Sequence, residues 1–466
     1  MRLLPTAATL VAAATVLLAA APAAPAGADP AGGPVDGVWR TDGYGMIIAI
    51  SGGRGEVYQT TGISCLLAQT ADQIGPVRRG GVVDFGADGV VGASAWRTGR
   101  DRARLHSWGA AGDIGLVRLP ALPARCARPT PTDPLTSFDI FWTTYAENYP
   151  FFAAKHVDWQ AVRDRYRPLV TADTTQQQLF QIFVDMIAPL GDAHTSVGTD
   201  RAHQFGGQRP GTRAGSPEFE ARTEAAIVAH LGVTPQTWGG GEIAYADLPG
   251  QLGYLRIGSF GDYVPGGDGS YAEDRAELDR ALDAVFTAQR AGDLRGLIVD
   301  VRYNPGGDDA LGLAVAARLT GRPYLAYAKR ARNDPADPTR HTALQRIAVR
   351  PDRHAPAYTG PVALLTSDLT ASAGETFTQA LMGRTPAPTR IGLPTQGVFS
   401  DVLKRLLPDG FRFELPNEEF LTRDGRTFDG PGIPPDVLTP VFTDAELAAN
   451  QDSAIDAARA LLTAGR

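Results

Sequence analysis

The residues whose chemistry could drive a reaction lie far apart in this chain. Ser372 falls in the stretch PVALLTSDLTASAGE, residues 361–375, where an apolar run stops and small residues carry the serine into a predicted helix. A buried strand leading into a tight turn exposes a hydroxyl at the carboxyl edge of a sheet, where open α/β folds place their sites. Ser372 is therefore a candidate nucleophile. The same residues also spell a capping box, with Ser372 as N-cap and Glu375 three positions on, and taken alone that structural role is the commoner one. His194 closes on a different turn, in LGDAHT (190–195), where Gly191 ends the preceding helix and leaves the imidazole off any apolar face. A histidine titrates near neutral pH, so His194 is the candidate base among the seven histidines. A third feature is RYNPGG (302–307), between a strand at 296–301 and a helix at 310–319. Gly306 and Gly307 let backbone amides approach a ligand and point at a developing negative charge, although a plain strand-to-helix turn has the same pattern.

The elements that must position these groups follow in chain order. Residues 1–28 combine Arg2, a short Ala/Leu/Val core and an Ala26-Gly27-Ala28 site, the pattern of a secretory signal peptide. The core is broken by Pro5 and Pro22, and no later stretch approaches the roughly 20 apolar residues of a membrane span. Taking 28 from 466 residues leaves 438, enough for two or three domains, and moves the formal net charge from −7 to −8 by loss of Arg2 alone. A soluble, secreted (extracellular) protein is expected. Without a basic cluster, nucleic acid is not an expected partner. Export carries the two cysteines into an oxidising compartment, so a single Cys65–Cys126 disulfide is expected; neither their number nor their spacing supports a metal site.

Residues 29–128 alternate short apolar runs with glycine turns such as SGGRG and GADG, the punctuation of hairpins, and predict a small all-β accessory domain closed by that disulfide. PTPTDP (129–134) is a linker. Over 129–199 the period becomes helical: Phe138, Phe141, Trp142 and Tyr145 share one face, as do Leu179, Phe183, Met186, Ile187 and Leu190. Such aromatic stripes are core rather than a cofactor box. Residues 200–250, rich in Gly, Arg and Pro, are expected to be an irregular connector. From 251 to 466 strands and helices alternate, which argues for a mainly parallel α/β core.

LGDAHT, GYLRIGSF, LIVDVRYNPGG, ALLTSDLTASAGE and GPGIPPDV occur in this order between residues 135 and 437, and together they resemble the C-terminal processing (tail-specific) serine peptidase family. The resemblance implies a Clp protease/crotonase-like core and a peptide or protein substrate, with no cofactor and no metal. Two catalytic branches exist in this family. The Ser-Lys branch carries its lysine in G-x-x-T-x-G-K-G; here GLPTQG (392–397) matches the frame and Val398 stands at the lysine position. A valine cannot accept a proton, and Lys404, six residues on, is a poor substitute. The chain is instead similar to the tricorn-like branch, whose histidine matches His194 and whose acidic residue matches Asp429, where the family more usually has Glu. Tricorn has a serine before its histidine as a relay, but this chain has Ala193. The orienting group is then Thr195, a water molecule or Asp429 itself.

By this resemblance Ser372 forms the acyl-enzyme, His194 is general base, Asp429 fixes its tautomer, and the amides of Ala373 and of Gly306 or Gly307 form the oxyanion hole. Only about 50 residues separate the helical region from the core, too few for the PDZ domain that many members insert. Two other functions fit the same scaffold: a non-catalytic ligand-binding protein, and a small-molecule acyl hydrolase.

Overall fold

The computed structural model describes residues 32–200 and 203–464; the segment expected to be a signal peptide lies outside the described residues. Strands from Gly37–Thr41 to Ile114–Leu119 form a closed eight-stranded barrel in which each strand pairs antiparallel with the next. The first strand pairs back on the last, Val38 opposite Leu119, so closure comes from strand pairing. Closure removes the open edges of a small sheet. Trp39 is fully buried in the barrel core among Ile48, Val83, Phe85 and Leu116. The expected Cys65–Cys126 disulfide is present, but it does not close the barrel: it ties the strand Cys65–Gln73 to the turn Ala124–Ala127 that leaves it.

Three helices follow. Pro134–Asn148 begins with Asp133 accepting from the Thr136 amide and Pro134 in the first turn, and Gln176–Ile187 begins with a Thr175/Gln178 capping box. The aromatic stripe is core, with Phe141 and Phe183 stacked at 4.1 Å between ring centres and both fully buried. These helices pack on a four-stranded sheet that contains Ser196–Gly198, Arg412–Pro416 and Val402–Leu406.

The connector at 200–250 is not irregular from residue 217 onward. Pro217–Leu231 is a 15-residue helix, started by Ser216 with Pro217 and two glutamates in its first turn and stopped by Gly232 at φ 70°. Its start and stop signals outweigh the surrounding Gly, Arg and Pro. Gln236–Trp238 and Ile243–Leu248 then form antiparallel strands that extend the main sheet.

That sheet has seven strands. Beyond the two just named it runs Leu252–Ile257, Gly296–Asp300, Val362–Thr366, Thr389–Gly392 and Val437–Leu438, these five parallel to one another while Leu252–Ile257 is antiparallel to Ile243–Leu248. Helices Tyr271–Val285, Asp309–Ala317 and Ala373–Met382 cover one face and Pro217–Leu231 and Ser453–Ala464 the other. Strands buried on both faces explain the unbroken apolar runs GLIV and VALL. Among the described residues no helix is long and apolar enough to cross a membrane.

The disulfide spans 61 residues of sequence. In the chain-entropy model a loop of that size contributes about 4 kcal/mol. Intact mass under an alkylating reagent should show no modified cysteine before reduction and two after it, and Cys65→Ser should unfold at lower urea concentration.

Candidate active site

The strands Gly296–Asp300 and Val362–Thr366 are adjacent and parallel, so the turns after them meet. Tyr303–Asn304 pairs with Leu369–Thr370 as a two-residue continuation, bringing RYNPGG beside the Ser372 turn. Asn304 is the pin between them. It is fully buried; its Nδ2 donates to Ile257 O, its Oδ1 accepts from the Gly306 amide, and its carbonyl accepts from the Ala371 amide.

Ser372 sits at φ 51°, ψ −121°, a strained conformation for a non-glycine residue, at the turn from strand into the helix Ala373–Met382. Its side chain makes no capping bond, so the capping-box reading is set aside. Glu375, the other half of that box, accepts instead from the amides of Gly397 and Val398, each at 2.7 Å. Burial pushes the Glu375 carboxyl up to about 8. The Val398 carbonyl in turn accepts from the Ser372 amide at 2.9 Å. Val398, which occupies the lysine position of the other branch, therefore holds the nucleophile's backbone.

The glycine turn lies directly against the serine. A side chain at Gly306 would place its Cβ 2.6 Å from Ser372 Cβ and 3.1 Å from its Oγ, so only glycine permits this approach. The Gly306 amide is engaged by Asn304 Oδ1, whereas the amides of Gly307 and Ala373 have no hydrogen-bond acceptor among the described residues. Those two remain available to an oxyanion.

His194 is held by its main chain. Asp192 Oδ1 accepts from the His194 amide at 2.9 Å, and Asp192 Oδ2 accepts from the Tyr149 hydroxyl at 2.8 Å. Burial lowers the His194 pKa below the ordinary histidine value, partly offset by the charges of Asp192, Asp401 and Glu414. Its Nδ1 is buried and has no hydrogen-bond partner, and no hydrogen bond joins the imidazole to Ser372 Oγ.

Asp429 does not take the place expected of it. Its Oδ1 accepts from the Phe399 amide at 3.1 Å and its Oδ2 from the Thr427 hydroxyl at 2.9 Å, and neither oxygen bonds to His194. Burial raises its pKa well above the ordinary aspartate value, and its hydrogen bonds brace the segment after Val398. Thr195 is no relay either, because its hydroxyl donates to Asp192 O at 2.7 Å.

Two groups escaped the sequence reading. Asp192 was legible, since Asp two residues before a turn amide is a common side-chain-to-backbone pattern. Lys329 was not. It pairs with Asp401 at 3.0 Å and Glu418 at 3.1 Å, partners 72 and 89 residues away. Burial works to lower its pKa, but the two carboxylates outweigh it and hold it well above the usual lysine value. An ammonium so held cannot serve as a base. Lys404 is exposed on the strand Val402–Leu406, opposite Glu414.

A serine hydroxyl presented on a strained strand-to-helix turn beside free backbone amides suits acyl transfer, which places the protein among serine hydrolases on a Clp protease/crotonase-like core. Within that class, residues 251–439 match the model of peptidase family S41 and residues 131–188 match the tricorn protease C1 domain, likenesses that make the protein a serine-type peptidase. A solved candidate peptidase from Parabacteroides merdae ATCC 43184 is 25% identical with TM-score 0.58, covering 71% of this chain and 97% of that one. Mature CPAF shares the fold at 12% identity and TM-score 0.50, covering 71% of this chain and 96% of that one. No curated protein matches the chain.

Glu375→Ala should leave two buried amides unpaired at a cost of roughly 1–3 kcal/mol each. Because those amides hold the backbone that holds Ser372, the variant should also react more slowly with a fluorophosphonate. Urea unfolding and labelling rate measure the two effects separately.

Proposed function

We propose that the protein is an exported serine peptidase that cleaves peptide bonds through a Ser372 acyl-enzyme, with His194 as general base. The observation that carries the reading is the strained Ser372 beside the free amides of Gly307 and Ala373. A serine hydroxyl attacks an amide only when a base removes its proton, and His194 is a base kept neutral by burial. Catalytic hydrogen bonds are often long in the free enzyme and tighten with substrate, so the open Nδ1 and the unmade Ser372 contact are compatible with this role. In the cycle, Ser372 Oγ bonds to the scissile carbonyl carbon as its proton passes to His194. His194 then protonates the departing amine, and water hydrolyses the ester by the reverse sequence. The oxyanion lies between Gly307 and Ala373, donors worth roughly 3–4 kcal/mol each. Asp192 and Asp401 supply negative charge toward the imidazolium, while Asp429 acts through Phe399. Export is supported by the leader-like residues 1–28 and by the disulfide, which persists in oxidising compartments.

A labelled fluorophosphonate should modify the wild type and leave Ser372→Ala untouched; labelling that survives in Ser372→Ala overturns the assignment, and no labelling of either favours a ligand-binding protein. His194→Ala should lose roughly 10²–10⁴-fold in kcat. Lys404→Ala should be nearly silent. A Lys404→Ala variant that is dead beside an active His194→Ala reverses the choice of base.

The pH profile gives an independent check. A base with a lowered pKa stays unprotonated until the pH falls below the ordinary histidine value of about 6.5. Activity should therefore hold from pH 7.5 to about 6.5 and fall on the acid side of it. A midpoint above that value contradicts a desolvated His194.

A further inference from the structure

Between the barrel and the core lies a cavity of about 510 Å³, lined by Gly307, Asp308, Lys329, Asp401, Asn417 and Glu418 and by the barrel segment around Trp108 and Gly109. It adjoins the candidate catalytic groups at two points. Gly307 carries one of the free amides, and Asp401 is the carboxylate whose charge acts on His194. The Asp401 side chain is 46% exposed, and it lines this cavity while pairing with the buried Lys329.

The charges in the cavity do not balance. Asp401 and Glu418 share Lys329, Tyr44 donates to Glu418, and Asp309 accepts from the Thr376 hydroxyl. Of the remaining cations, Arg405 is turned to main-chain carbonyls and Lys404 is exposed opposite Glu414. Asp308 is left over. It follows Gly307, stands at the N-cap of Asp309–Ala317 without making a capping bond, and has no ion pair or side-chain hydrogen bond among the described residues. A Cβ at Gly109 would fall 2.3 Å from its Oδ1, so a glycine in the barrel makes room for this carboxyl. Burial, with the charges of Asp274, Asp401 and Asp262, pushes it up to about 6, as befits an acid lacking a cation.

A second observation is independent of charge. Asn417 is 2% exposed, and both its Oδ1 and its Nδ2 are buried without a partner. A buried carboxamide with neither bond made is costly, and such groups in native proteins need an explanation. Asn417 lines the same cavity, and a ligand there could meet both needs.

We propose that this cavity is a subsite for a cationic group of the peptide substrate, an ammonium or guanidinium that Asp308 neutralises and the Asn417 carboxamide hydrogen-bonds. The inference rests on the peptidase reading and deepens it: the barrel forms one wall of the cleft, and the enzyme selects peptides bearing positive charge near the scissile bond. A lysine or arginine side chain and a free amino terminus share this chemistry.

The test uses internally quenched peptides identical except for Lys, Arg or norleucine at one position, each with a free and an acetylated amino terminus. The wild type should favour a cationic peptide over its neutral counterpart by roughly tenfold or more in kcat/KM. Preference that survives acetylation identifies the side chain, and preference lost on acetylation identifies the amino terminus; both support the subsite. Asp308→Asn should erase the preference, and Asn417→Ala should weaken cleavage of the cationic peptide, with circular dichroism showing that both variants fold. Equal cleavage of cationic and neutral peptides overturns the subsite. Fluorescence anisotropy of the same peptides on the full-length Ser372→Ala protein separates the two claims. If no peptide is cleaved but the cationic one binds more tightly in an Asp308-dependent way, the peptidase reading falls and the subsite stands; equal binding overturns the subsite.

Discussion

The arrangement depends on two parallel strands ending at the same level. Gly296–Asp300 and Val362–Thr366 are in register, and Asn304 ties the turn after one to the turn after the other. Everything that could stabilise an oxyanion lies in those turns, so the geometry of the site is set by backbone pairing and one buried carboxamide. Below the turn, Arg302 is fully buried with Asp300 on one side and Asp452 at 2.8 Å on the other. Removing one member of such a set strands a charge in the interior, at roughly 3–5 kcal/mol, so the triad holds the C-terminal helix to the sheet more by the penalty of breaking it than by net attraction.

The barrel is built into the site rather than appended to it. Its Tyr44 hydroxyl reaches Glu418, its Gln59 exchanges hydrogen bonds with Leu406, and its Asp113 amide donates to Gln345 Oε1 at 2.9 Å. These contacts cross hundreds of residues of sequence and reach Glu418 itself, the end of the strand Val402–Leu406, and Gln345, which pairs with Lys329 across two strands. A domain without catalytic residues of its own thus closes one side of the cleft and fixes the charges there.

What the sequence made legible was local. The strand-to-turn change at Ser372, the Gly191 stop before His194, the helical stripes and the glycine-punctuated hairpins each rest on residues within a few positions of one another. The helix Pro217–Leu231 carried equally local signals in Ser216, Pro217 and Gly232, but the composition around them pointed the other way. The misjudged roles are long-range. Glu375 looked like half of a capping box because its true partners, Gly397 and Val398, are 22 and 23 residues on and join it only through the fold. Asp429 looked like the partner of His194 by position in a motif, yet the Phe399 amide and the Thr427 hydroxyl claim its oxygens. The Lys329, Asp401 and Glu418 cluster had no sequence signal, because no local spacing relates its members.

The two buried nitrogen bases of this region end in opposite states, and the difference follows from their partners rather than from their burial. Desolvation acts against the charged form of both. Lys329 has carboxylate oxygens at 3.0 and 3.1 Å, and their attraction overcomes desolvation, so it stays an ammonium and its role is structural. His194 has only the more distant fields of Asp192, Asp401 and Glu414, none of them bonded to its ring, and desolvation prevails, so it stays neutral. A general base needs a free lone pair at working pH together with enough nearby negative charge to stabilise the cation once the proton arrives. In the proposed mechanism His194 would meet both conditions, because the carboxylates act on its ring without bonding to it, Asp192 reaching only its main-chain amide. The same spacing keeps the lysine out of the chemistry: the acid that would help a histidine at a distance fixes an amine when it touches one.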